Sequence, residues 1–302
     1  MDGVLLIDKP SGPTSHDVVA RLRATSGAKR MGHTGTLDPR ATGLLPLVVG
    51  RATRLAVFLS GGDKTYEAIV RLGVTTDTDD ADGTPIGEAV TALPGDAEVD
   101  AALTAFRGTF AQLPPIHSAK RIDGHRAYDL ARKSAPVELE PVDVTVLSLT
   151  VTWRRGDLVG LTMTTTPGFY VRALARDLGR ALGCGAHLAE LRRTRSGSFD
   201  VQNAVPLDEA ERLGRDVLTR VMAPSDALPD LAGVQVTEQG LKRAAHGNPL
   251  GPEHLAGRAV PPAGLSGPGA APKPVKVVGP DGRLVALAWS RGGALHPVVV
   301  LG

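Results

Sequence analysis

The chain holds a single cysteine, Cys184, in 302 residues. That excludes an internal disulfide and a cysteine metal cluster. Flanked by Gly183 and Gly185, the thiol reads as a small packing residue in a protein of a reducing compartment. Aromatic residues are also scarce, at 3%. That argues against rows of stacking rings, so any nucleic-acid base held here must rest on a few rings. Long apolar runs are missing too: none approaches the roughly 20 residues that cross a bilayer. The first ten residues carry no basic n-region and enter a strand at 4–7, which reads as no signal peptide. Charge of one sign is not in excess, since 34 Lys and Arg against 32 Asp and Glu leave +2. Only clustering of charge can point to a partner. No zinc-ligand pair has usable spacing. No GxxxxGK[ST] loop occurs either, the nearest string being GGDKT at 61–65. No metal and no cofactor are implied.

What is present suits a soluble globular protein, 42% apolar and 22% charged, and long enough for two domains. The strand at 4–7 is stopped by Lys9, Pro10, Gly12 and Pro13. Thr14 or Ser15 can cap the helix that follows, with Val18, Val19 and Leu22 on its inner face. Residues 66–74 alternate, Tyr66, Ala68, Val70, Leu72 and Val74 sharing one face, which predicts a half-buried strand. The loop after it carries Asp77, Asp79, Asp80 and Asp82. Four acids suggest a cation, but the spaced glycine and terminal glutamate of a calcium loop are absent. A helix is predicted over 100–110, and a β-hairpin over 142–153 and 158–166 with its turn at 155–157. A helix over 170–182 puts Arg172, Arg176 and Arg180 on one face and Leu174, Leu178 and Leu182 on another. The basic face is either solvated or led by an Arg172 that points into a site. Arg192, Arg193 and Arg195 form a cation cluster suited to phosphates or to solvent. From 226 onward the composition shifts. Thirteen of the 28 residues at 247–274 are Gly or Pro, which predicts a loop-like insertion. Short strands follow at 276–278, 284–289 and 297–301.

The densest chemistry lies at 32–46, GHTGTLDPRATGLLP. Gly35 and Gly43 permit backbone angles that other residues avoid, and Pro39 pushes Asp38 out of the helical region. The result is a stiff loop carrying an acid, Asp38, and an imidazole, His33. Taken alone, an Asp-Pro turn of this kind often only caps a backbone amide.

The full run from Gly32 to Arg54 resembles the motif GHTGTLDPxATGxLPxxxGxATR of the TruB family of tRNA pseudouridine synthases. Five further blocks follow the family in order, so the likeness spans about residues 3–200. These are DKPxGxTS around Lys9, KxY at Lys64–Tyr66, TDTxDxxG around Asp80, SAxKxxGxxAYxxAR at 118–132, and YxRxLxxDLG continuing into HxxxLRRTxxGxF. The resemblance implies an α+β pseudouridine synthase fold, with a mixed, mostly antiparallel sheet flanked by helices. It places a catalytic domain at 1–225 and a small β-rich, PUA-like RNA-binding domain at 226–302. It makes Asp38 the nucleophile, Arg172 its partner and Tyr66 the ring against the target base, assisting proton removal at C5. His33, Lys9, Asp80, Leu191 and Arg193 then bind substrate or support the site. The implied activity turns uridine into pseudouridine at position 55 of the tRNA T-loop. It acts on an extruded base, without cofactor, in a cytoplasmic monomer whose partner is the T-arm of tRNA. A guanidinium beside Asp38 would lower its pKa by about 1–3 units. Two other readings stand beside this one. An RNA-binding or tRNA-folding module would use the basic clusters at 120–133 and 192–195 without catalysis. An aspartate phosphatase would need a DxDx[TV] that Asp38-Pro39-Arg40 does not supply.

Overall fold

The computed structural model describes residues 1–115, 121–122, 125–126, 139–257, 260 and 273–302. Among these, ten strands form one sheet. They are β1 (Gly3–Lys9), β2 (Met31–His33), β3 (Thr42–Val49), β4 (Lys64–Leu72), β5 (Gly108–Gln112), β6 (Val142–Arg155), β7 (Leu158–Thr165), β8 (Ala186–Ser196), β9 (Phe199–Asp200) and β10 (Val205–Pro206). The order is β10-β1-β3-β8-β4-β7-β6-β5, with β2 beside β3 and β9 beside β8. Only β1/β10 and β3/β8 run parallel, so the sheet is mixed and mostly antiparallel. The helices are α1 (Ser15–Ser26), α2 (Ala56–Ser60), α3 (Asp96–Leu103), α4 (Val171–Ala181), α5 (Leu207–Leu213) and α6 (Glu238–Ala245). Four more strands, β11 (Gly233–Gln235), β12 (Val275–Val278), β13 (Leu284–Arg291) and β14 (Ala294–Val300), make a second sheet in that order.

Alternation explains most of the packing. In β1 the odd residues Leu5 and Ile7 join Leu45 and Leu47 of β3 under Val18 and Leu22 of α1. The even residues Val4 and Leu6 join Leu44 and Val48 against Leu284, Leu287 and Leu301 from the C-terminal sheet. β1 is therefore buried on both faces, which its unbroken apolar run requires. In β4, Tyr66, Ala68, Val70 and Leu72 face a third core with Leu174 and Leu178 of α4, and Cys184 packs in the same cluster. Gly73, at φ +84°, ends this strand before Val74.

Local signals set the ends. Thr14 caps α1 in a reciprocal box with Asp17, which accounts for two of the free amide donors at that end. The β6–β7 hairpin turns through Gly156 and Asp157, with Gly156 at φ +59°. The helix expected over 100–110 is a correction. It ends at Leu103, runs through a 3-10 turn at Thr104–Phe106, and gives way to β5. Gly108 takes φ +75°, and 108–112 pair with 142–146 at the sheet edge, so ladder hydrogen bonds override helix propensity there. Of the segment 118–132 only 121–122 and 125–126 are described, as a short antiparallel pair; the rest lies outside the described residues, as do 258–259 and 261–272 of the Gly/Pro-rich insertion.

Candidate active site

The loop between β2 and β3 is anchored from behind. Lys9, with 0% exposure, spends its ammonium on three backbone carbonyls, those of Pro10 (2.9 Å), Pro13 (2.8 Å) and Pro39 (2.9 Å). Burial pulls its pKa down to about 8, while Asp38 and Asp17 oppose that shift. Lys9 was expected to bind substrate or to support the site by charge or hydrogen bonding. Its donors face protein carbonyls, so it braces the loop next to Asp38. Ser15, the first residue of α1, makes a second brace. Its hydroxyl accepts from the Leu37 amide (2.9 Å) and donates to the Leu37 carbonyl (3.1 Å). Gly43 takes φ +96°, and a Cβ there would stand 2.3 Å from the Arg193 carbonyl. Only glycine lets β3 and β8 approach so closely.

Asp38 opens onto a cavity of about 300 Å³ lined also by Tyr66, Phe169, Arg172, Leu191 and Arg193. Its Oδ2 stands 3.0 Å from Arg172 Nε, with the guanidinium buried and the carboxylate side chain 43% exposed. Arg172 comes from the first turn of α4. Its Nη1 donates to the Thr78 carbonyl at 3.1 Å and lies 3.5 Å from Asp80 Oδ2. Asp80 in turn accepts from the Thr78 hydroxyl (2.5 Å) and the Asp82 amide (3.1 Å). The acidic loop is thus occupied by arginines and its own backbone, and Arg40 holds Asp82 at 3.0 Å.

The electrostatics differ from the sequence expectation. Desolvation pushes the Asp38 carboxyl above the usual carboxylate range. Arg172 opposes this, Asp80 adds to it, and Lys9 opposes it more weakly. The predicted lowering by a guanidinium is therefore overturned, because loss of water outweighs one ion pair.

Arg193 also differs from the reading of 192–195 as one cation cluster. It is 2% exposed, and its guanidinium donates to the carbonyls of Leu44 (2.8 Å), Gly35 (3.1 Å) and Thr36 (3.5 Å). Arg192 pairs with Asp8 at 2.7 Å, and Arg195 lies 3.9 Å from Asp200. Strand geometry separates the three, and Arg193 alone reaches the cavity. Its guanidinium is hydrogen-bonded to Tyr66, whose phenol burial pushes up. Leu191 supplies an apolar wall. His33 does not line the cavity. Its ring packs edge-on against His16, with centroids 5.2 Å apart.

Sequence reasoning missed Ser15 and Lys64 as supports of this site. Lys64 lines the cavity and donates to the Ser60 and Gly62 carbonyls, each at 2.5 Å, and burial lowers its pKa to about 8. A lysine at the head of an alternating apolar strand was the available signal.

Comparison with known proteins agrees with this geometry. Residues 23–171 match the family model described as the TruB family pseudouridylate synthase N-terminal domain. Residues 172–228 match that of the tRNA pseudouridylate synthase B C-terminal domain. The tRNA pseudouridine synthase B of Thermobifida fusca is 42% identical over 99% of this chain and 98% of its own length. That of Solibacter usitatus is 49% identical over 76% of this chain and 75% of its own. Among solved structures, a Cbf5-Nop10-Gar1 complex contains a chain similar over 99% of this one and 85% of its own length, at 25% identity and a TM-score of 0.72. A loop acid paired with a helix arginine at this cavity, on this mixed sheet and with these family matches and relatives, shows that the chain belongs to the TruB family of pseudouridylate synthases.

Proposed function

We propose that this enzyme isomerises the uridine at position 55 of the tRNA T-loop to pseudouridine, with Asp38 as nucleophile. The carrying observation is the Asp38–Arg172 pair, 3.0 Å apart, at a cavity walled by Tyr66 and Leu191. The reaction breaks the N1–C1′ bond, turns the uracil and joins C5 to C1′. C5 loses a proton and N1 gains one, so no redox partner or cofactor enters the balance. Asp38 adds through an ionised oxygen to C1′ or C6, and Arg172 keeps that oxygen charged and aimed. A uridine in a folded loop must leave its stack, which costs about a few kcal/mol. One aromatic contact returns about 1–3 kcal/mol, so Tyr66 can balance extrusion. The proposal includes a catalytic unit at 1–225 with an RNA-contacting C-terminal unit at 226–302, acting as a cytoplasmic monomer on the T-arm.

The test is pseudouridine formation in an unmodified T-stem-loop RNA. The native protein should convert position 55 and leave a neighbouring uridine untouched, while Asp38→Asn should bind equally and convert nothing. Binding without product by the native protein would leave the RNA-folding reading in its place.

A further inference from the structure

Arg176 lies four residues after Arg172, on the same face of α4. It is only 9% exposed and takes no part in the chemistry above. Its guanidinium is divided among three groups. Nη1 donates to Asp79 Oδ2 at 3.1 Å, Nη2 to the Leu113 carbonyl at 2.8 Å, and Nε to Asp177 at 2.8 Å. Asp79 is itself unusual, with φ +62° at a non-glycine residue, a left-handed conformation that a side chain rarely adopts unless the surroundings hold it. Its carbonyl accepts from the Leu188 amide at 3.0 Å, which stitches the acidic loop to β8. On either side of Asp79 stand the two groups that hold Arg172, the Thr78 carbonyl and the Asp80 carboxylate. Leu113 comes just before the 116–138 segment and Leu139 just after it, and both line a cavity of about 350 Å³ with Arg176 and Asp79.

Resting on the proposed reaction, we infer that Arg176 is a positioning residue. By clamping Asp79 it fixes the strained loop that aims Arg172 at Asp38, and through Leu113 it ties that aim to the root of the 116–138 segment. Contiguity argues for this. The side chains and carbonyls run Leu113, Arg176, Asp79, then Thr78 and Asp80, Arg172 and Asp38, each link within hydrogen-bond or ion-pair distance or one residue along the chain. A purely stabilising ion pair would need neither the left-handed Asp79 nor a partner on each side of the loop that holds Arg172.

The test compares Arg176→Met, Arg176→Lys, Asp79→Asn and, as a control, Arg180→Met, whose side chain is 69% exposed. With T-stem-loop RNA, Arg176→Met should lower kcat by roughly 10–100-fold, the loss typical of misplacement by about 1 Å, while KM changes little. Asp79→Asn, which keeps the side chain's size but weakens its pairing with Arg176, should move kcat in the same direction by less. Arg176→Lys should recover part of the loss, and Arg180→Met should leave kcat unchanged. The acid limb of the rate should move to higher pH in Arg176→Met as Arg172 loosens from Asp38. The charged and titratable groups around Asp38 are otherwise unchanged: Arg172 from α4, Asp80 from the acidic loop, Lys9 from β1 and Tyr66 from β4. Amide exchange over 76–84 and at Leu188 supplies a readout independent of turnover, and it should quicken in Arg176→Met and Asp79→Asn in folded protein. Unchanged exchange, or a rise in KM alone, overturns the inference. A native protein without turnover would count against the proposed reaction, with the exchange data still deciding the role of Arg176.

Discussion

Asp38 carries two opposed demands, since it must be ionised to attack while partial burial works against its charged form. Its folded pKa is raised by burial, so its ionised form is the disfavoured one. The stability it contributes falls as pH rises from the unfolded carboxyl value through the higher folded one. Asp38→Asn should therefore unfold at no lower urea concentration than the native protein at pH 7, although it abolishes turnover. Earlier unfolding would show that the carboxylate is structural. The same shift puts the acid limb of kcat/KM above the ordinary carboxylate range. An alkaline limb should follow near pH 8, where Lys9 and Lys64 lose their protons and their hold on the loop weakens. A pH–rate profile flat from pH 4 to 9 would contradict both assignments. Arg193→Met should destabilise the fold by about 2–3 kcal/mol in urea unfolding, because it strands buried carbonyls.

At the scale of elements, the β2–β3 loop is held by α1, β1 and β8 together. Gly43 is where β3 passes Arg193 most closely, and the backbone angle and the 2.3 Å approach both forbid a side chain. Gly43→Ala should therefore impair turnover and lower the unfolding midpoint together. Thr14→Ala removes a cap from α1 at a cost of about 1 kcal/mol, without touching the cavity. Urea unfolding should show that loss with kcat unchanged, provided Ser15 still grips Leu37. The helix expected over 100–110 shows where element-level reading fails. Its apolar spacing is real as far as Leu103 and Phe106, but the partner strand that recruits 108–112 lies thirty residues away in the chain.

Across the whole molecule, the C-terminal sheet shares a core with the first strands. Leu284 and Leu287 pack with Val4, Leu6 and Leu44, and Arg51 reaches the Leu301 carbonyl at 2.9 Å. Leu287→Ala should cost about 2–5 kcal/mol and lower the midpoint reported from both sheets. A change confined to the C-terminal sheet would show that the two unfold separately. No described helix is long and apolar enough to cross a membrane.

The sequence by itself determined the alternating and fully apolar strands, the cap of α1, the hairpin turn and the motif residues, because these follow from period, turn chemistry and short spacing. Asp38, Tyr66, Arg172, Leu191 and Arg193 were legible as candidates, and tertiary structure alone brought them to one cavity from β4, β8, α4 and a loop. A supporting role for Lys9 was legible, but its full burial, the role of Arg193 as a buried brace, the direction of the Asp38 shift and the Arg176–Asp79 pair were not. Each depends on how much water the assembled fold removes and on which carbonyls it places within reach, and neither quantity exists until distant segments have packed.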